Sequence, residues 1–171
     1  MSDQKLTTNL RQSSGINDME KRIFGRTGLE ISLLTFGCGA VGGLMTKGTS
    51  HDQDRAVDWA RDNGINHFDT APSYGDTVSE ANLGRALGRN RSDIIVSTKI
   101  GLSKDELKDI QGATQKSLEA SLKRLRQDHV DIFQLHNTLD DANASDSISV
   151  QQVINDVLPV FIKLREKGAV R

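Results

Sequence analysis

Asp93-Ile94-Ile95-Val96-Ser97-Thr98-Lys99 runs through three β-branched aliphatics and two hydroxyl residues and stops on a lysine. A short run of this composition, without helical periodicity, reads as a strand buried on both faces, as in a parallel sheet. Working outward, the same ending recurs. Upstream, Ile65-Asn66-His67-Phe68 stops at Asp69, and Leu33-Leu34-Thr35-Phe36 stops at Gly37, the head of a glycine-rich stretch reaching Gly43. Downstream, Val130-Asp131-Ile132-Phe133-Gln134-Leu135 stops at His136. Gly37, Asp69, Lys99 and His136 are separated by 32, 30 and 37 residues, room for one helix and one strand each, as a βα unit requires.

The intervals contain helix signals. Residues 52–63 place Ala56, Val57, Trp59 and Ala60 on one face, with Gly64 as the C′ residue. Ser79 reads as the N-cap of a helix carrying Glu80, Leu83, Ala86 and Leu87 and stopping at Gly88. Leu118, Leu122 and Leu125 mark a third helix. A polar loop, 137–149, leads into helical residues 150–167, where Pro159 predicts a break and a second helix beginning at it. Ahead of the alternation, Glu20–Phe24 and Leu29–Leu33 flank Gly25-Arg26-Thr27-Gly28 and read as a β-hairpin. Residues 1–19 are polar and aperiodic, a disordered arm. The pattern predicts an α/β fold on a parallel sheet, with about four βα units after the hairpin.

Composition narrows the function classes. The 171 residues hold 22 basic and 23 acidic side chains, a net charge of −1, which argues against nucleic acid or an anionic membrane surface as partner. No apolar run is long enough to span a bilayer, and the first residues lack the apolar core of a secretory signal. The single cysteine, Cys38, excludes an internal disulfide framework and a multi-cysteine metal site, and suits a reducing, cytoplasmic setting.

Parallel α/β folds place their chemistry at the carboxyl ends of the strands. There this sequence brings Asp69, Lys99 and His136, with Tyr74, the only tyrosine, five residues past Asp69. Taken singly, each has a plain structural role: Asp69 as a turn cap, Lys99 as a solvated charge, His136 and Tyr74 as hydrogen-bonding or packing groups. Together they make a proton donor. An ammonium beside a phenol favours the phenolate, a carboxylate aims the ammonium, and an imidazole hydrogen-bonds a substrate oxygen. That set meets the needs of carbonyl reduction by a hydride carrier.

Phe68-Asp69-Thr70-Ala71-Pro72-Ser73-Tyr74-Gly75, Ser79-Glu80 with Leu83-Gly84, Ser97-Thr98-Lys99, Asp131–His136 and the hairpin turn Gly25–Leu29 resemble the aldo-keto reductase family, from about residue 20 onward. Within it, Asp69–Gly75 and Leu135-His136-Asn137 are closer to microbial sugar or aryl-alcohol dehydrogenases. The resemblance implies a (β/α)8 TIM barrel closed at its bottom by the hairpin. It implies a tetrad with Tyr74 as general acid/base, Lys99 lowering its pKa, Asp69 ordering Lys99 and His136 orienting the carbonyl. It further implies NADP(H) or NAD(H) as cofactor, met by Gly37, Cys38, Gly39, Asp69 and Asn137, a small carbonyl or alcohol as substrate, and no metal. Cys38 reads as a small residue in a tight segment, with nothing in sequence to activate its thiol.

A complete barrel of this kind takes about 250 residues. Residues 20–171 are therefore expected to be the N-terminal half, stopping as Gly168-Ala169-Val170-Arg171 enters a fifth strand. The chain alone is expected to be inactive or nearly so, because the other half carries most of the grip on the nucleotide. Unpaired edges on the first and fourth strands invite self-association. Two alternatives stand beside this reading. One is a half barrel active only with a complementary half, and the other a non-catalytic binding subunit similar to the aldo-keto-reductase-like β subunits of channels.

Overall fold

The computed structural model describes residues 19–88, 91–140 and 147–171. The predicted arm lies almost wholly outside them, as does the middle of the 137–149 loop.

Strands β1 (Lys21–Ile23) and β2 (Glu30–Ser32) pair antiparallel as the predicted hairpin. Four strands follow, β3 (Thr35–Gly37), β4 (His67–Asp69), β5 (Ile95–Ile100) and β6 (Ile132–Leu135), paired in parallel in sequence order. Between them run α1 (Leu44–Lys47) and α2 (Ser50–Asp62), then α3 (Val78–Ala86), then α4 (Ile110–Leu125). After β6 come two short strands, β7 (Thr138–Leu139) and β8 (Ser147–Ile148), paired with each other, and α5 (Val150–Gln152) and α6 (Leu158–Glu166). Four consecutive βα units of one sheet are the architecture the spacing implies, and α1 is an addition to it.

Side chains alternate across a strand, so the sheet has two distinct faces. Phe68, Val96, Ile100 and Phe133 lie in the core beneath the helices, with Val57, Ala60, Leu83, Leu87, Leu118, Leu125, Val160 and Leu164. The alternate positions, His67, Asp69, Ser97 and Lys99, are polar yet buried or half-buried. Register places these pairs side by side: Gly37 opposite Asp69, Asp69 opposite Ser97, and Lys99 opposite Gln134. The hairpin sits at the other end of the strands. Asn66, just before β4, accepts from the Ser32 amide at 2.8 Å and donates to the Glu30 carbonyl at 2.9 Å.

Two local expectations are corrected and a third is met. Trp59 is 64% exposed, and Gln53, Val57 and Ala60 form the buried face of α2 instead. Placing an indole on the apolar face treated hydrophobicity as a direction, whereas only the helical phase sets direction. Ser79 is not an N-cap. Thr77 holds that position, in left-handed backbone and without a side-chain bond, while Ser79 lies inside the helix. The break expected at Pro159 is present, and a second α-helix begins one residue before it. Residues Val153–Val157 widen into a π turn and α6 starts at Leu158, so proline sits in a first turn, where a missing N–H is tolerated. Beyond α6 the chain turns at Gly168, and Val130 and Val170 pair in parallel beside β6, with Val130 N donating to the Ala169 carbonyl at 3.2 Å.

Candidate active site

The carboxyl ends of β3 to β6 carry the polar cluster. Lys99 ends the inner face of β5 with its side chain almost fully buried, and its ammonium donates to Asp69 Oδ2 at 2.6 Å and to the Thr70 carbonyl at 2.8 Å. Asp69 ends β4, and its other oxygen accepts from the Ser97 hydroxyl at 2.6 Å. Both carboxylate oxygens are therefore held by donors, and Asp69 is not the turn cap that it resembles in isolation. Lys99 Nζ also stands 4.8 Å from the centroid of the Tyr74 ring. His136 packs edge-on against the same ring with centroids 6.0 Å apart. The Tyr74 hydroxyl has no hydrogen-bond partner among the described residues.

Backbone geometry holds Tyr74 there. Gly75, Asp76 and Thr77 have φ of 61°, 50° and 72°, three consecutive left-handed residues. The turn is closed by Thr77 N donating to the Pro72 carbonyl at 2.7 Å and Ser79 N to the Tyr74 carbonyl at 3.2 Å. A side chain at Gly75 would come within 2.8 Å of Thr46 Cγ2 on α1, so only glycine meets both the angle and the space. Thr77, β-branched and left-handed, is a strained residue beside the site. Ser79 explains its spacing from Asp69 by tying three segments. Its hydroxyl donates to the Cys38 carbonyl at 2.9 Å and so accepts from Thr70 Oγ1 at 2.9 Å, joining the glycine-rich loop, the end of β4 and α3.

The residues expected at a cofactor fall into two groups. Gly37 stands beside Asp69 with open space where a Cβ would project, and Gly39 lies against Tyr74, its position for a Cβ 3.7 Å from the ring. Cys38 and Asn137 turn instead to the protein. Cys38 is fully buried, its amide donates to the Asp69 carbonyl, and burial, with the Asp69 charge, pushes its thiol up to about 12. The thiol therefore stays protonated and inert. The Asn137 amide accepts from Leu102 N and donates to Leu102 O, both at 2.7 Å, stapling the loop after β6 to the loop after β5.

Sequence reading missed Ser97, His67 and Thr35. His67 Nε2 lies 3.1 Å from Ser97 Oγ and Nδ1 lies 2.8 Å from Thr35 Oγ1. The two-residue period was the available signal, since it sets Ser97 on the face of Lys99 and His67 on the face of Asp69.

Residues 33–171 match the Aldo/keto reductase family. L-galactose dehydrogenase of Arabidopsis thaliana is 36% identical over 156 residues, 90% of this chain and 47% of that protein. The holo form of an aldo-keto reductase from Bacillus halodurans superposes with a TM-score of 0.72 at 28% identity, over 90% of this chain and 48% of that one. An aldo-keto reductase from Klebsiella pneumoniae in complex with NADPH shares the fold, with a TM-score of 0.62 at 21% identity, over 84% of this chain and 45% of that one. The chain thus spans about half the length of the curated relatives it matches.

Proposed function

The chain belongs to the aldo/keto reductase family, and from that premise we propose that its strand-end cluster serves the reduction of aldehydes or ketones, or the oxidation of the matching alcohols, with Tyr74 as the proton-transferring acid/base. One observation carries the reading: the Lys99 ammonium, anchored on Asp69 at 2.6 Å, faces the Tyr74 ring at 4.8 Å.

When bound, NADP(H) or NAD(H) supplies the hydride. The residues present fit its reacting end. Gly37 and Gly39 leave bare main chain beside Asp69 and Tyr74, and a side chain at Gly37 would fill that open space. Tyr74 offers its hydroxyl to the carbonyl oxygen. Lys99 stabilises negative charge developing on the phenol oxygen as the proton leaves. Asp69 and the Thr70 carbonyl hold the ammonium in place, and His136, exposed at the rim, hydrogen-bonds the same substrate oxygen and orients it. The full reaction calls on a whole barrel, and this chain by itself is proposed to turn over little or nothing.

The test uses a polypeptide carrying the complete barrel. Tyr74→Phe is expected to lower NADPH-dependent carbonyl reduction by about 10²–10⁴ while leaving nucleotide binding nearly intact, and unchanged turnover would overturn the assignment. For the 171-residue chain alone, no quenching of Trp59 fluorescence by NADPH is expected; tight binding would refute the claim that the grip lies elsewhere.

A further inference from the structure

The hydrogen bonds behind Asp69 have a direction that follows from proton counting. A carboxylate only accepts, so the one proton of Ser97 Oγ goes to Asp69 Oδ1, at 2.6 Å. Ser97 Oγ can then only accept from His67 Nε2 at 3.1 Å, which places a proton on Nε2. A neutral ring with Nε2–H has a bare Nδ1, and this accepts from Thr35 Oγ1 at 2.8 Å. Every donor along the chain points toward Asp69. Thr35, His67 and Ser97 come from β3, β4 and β5, and none of them belongs to the tetrad.

We propose that His67 is a positioning residue of the site: neutral, with its proton on Nε2, it completes a one-way chain from Thr35 through Ser97 that fixes the Asp69 carboxylate and so aims Lys99 at Tyr74. The proposal rests on the reading of Asp69 and Lys99 as parts of the reacting site. The environment of the ring agrees with a neutral state. Burial pushes His67 below its usual value, and Lys99 acts in the same direction, against the charges of Asp69 and Asp131 that face it. A charged ring would donate from Nδ1 to Thr35 Oγ1, reversing that link of the chain, and would set a second cation near Lys99. A carboxylate held through Ser97 has one rotamer available to it, whereas one held by Lys99 alone would follow the lysine wherever its flexible stem moves.

Nitrogen–proton correlation spectra of the histidine rings in the 171-residue chain, at neutral pH and without nucleotide, test the tautomer directly. The His67 ring is expected to be neutral with the proton on Nε2, its signals identified by their loss in His67→Gln. The Nδ1-protonated tautomer, or a doubly protonated ring, would overturn the proposal. The second readout is the rate at which the Lys99 ammonium protons exchange with water. It is expected to rise about tenfold in Ser97→Ala and His67→Leu, the size of one hydrogen bond to a charged group. His67→Gln, which keeps a donor toward Ser97, is expected to stay near the parent rate. Equal exchange in all four chains would reduce His67 to a packing residue. Should His67→Leu fail to fold, Ser97→Ala and the parent tautomer decide the matter. Failure of the reductase reading shows separately, as unchanged turnover in Tyr74→Phe, and would leave the tautomer as measured.

Discussion

Strand β5 donates to an ion pair on each of its faces, Lys99–Asp69 and Arg124–Glu80, and the two pairs use the same chemistry to different ends. On the inner face, Ser97 and Lys99 both donate to Asp69, and the ammonium also faces Tyr74. On the helix face, Thr98 donates to Glu80 at 2.6 Å and Arg124 donates to the same carboxylate at 2.6 Å, with Glu80 fully buried. The Glu80 pair joins β5, α3 and α4. The Asp69 pair, 25% exposed at its carboxylate, lies beside the ring of Tyr74, whose hydroxyl bonds no described residue. A hydroxyl, a cation and a carboxylate thus make a structural clamp on one face and, in the function proposed above, part of a reacting site on the other, according to what lies beyond the cation.

Substitutions on the two faces should separate rate from stability. The largest effect expected is on the inner face. Tyr74→Phe in a complete barrel should lower turnover by about 10²–10⁴, the range for removing a positioned acid, with the denaturation midpoint unchanged. On the helix face the order reverses. Glu80→Ala leaves Arg124 and Thr98 without their acceptor and should cost about 3–5 kcal/mol in urea unfolding. If Glu80→Ala instead left stability intact, the two pairs would not differ in kind. Glycines sharpen the same contrast at smaller size. A Cβ at Gly84 would collide with the Arg124 carbonyl between α3 and α4, so Gly84→Ala should cost about 1–3 kcal/mol. A Cβ at Gly37 meets nothing, so Gly37→Ala should stay within about 0.5 kcal/mol in stability while weakening nucleotide binding in a complete barrel.

The smallest effect is one of pH. His67 is held below its ordinary value by burial in the folded chain. As pH falls through the unfolded value of about 6.5, the unfolded chain takes up this proton first, so the His67 contribution to stability, present in full above that pH, declines below it. Thermal unfolding midpoints should therefore drop on acidification from neutral pH, and His67→Gln should flatten that part of the profile. An unchanged slope in His67→Gln would remove His67 as its source.

Much of this was legible in the chain. The spacing of Gly37, Asp69, Lys99 and His136 required parallel βα units, because each interval holds one helix and one strand and each strand stops on a polar residue or glycine. Tyr74 and Gly75 were readable as a loop beside Asp69. What escaped was lateral. Ser97 looked like a continuation of a buried strand, His67 like its apolar neighbours' companion, and Ser79 like a cap, because their partners lie 30, 30 and 41 residues away. Trp59 failed for the opposite reason, since composition assigned it inward and helical phase turned it out.

The sequence by itself determined the order of strands and helices, the four residues that reach the strand ends and the glycine that Tyr74 needs after it, because these follow from periodicity and local backbone sterics. Only the tertiary structure decided that Asp69 is held from two sides, that Cys38 and Asn137 turn to their own backbone and that Thr35, His67 and Ser97 line up behind the site. Those facts depend on register between strands, and register is set by the packing of both faces of the sheet at once, which no single segment encodes.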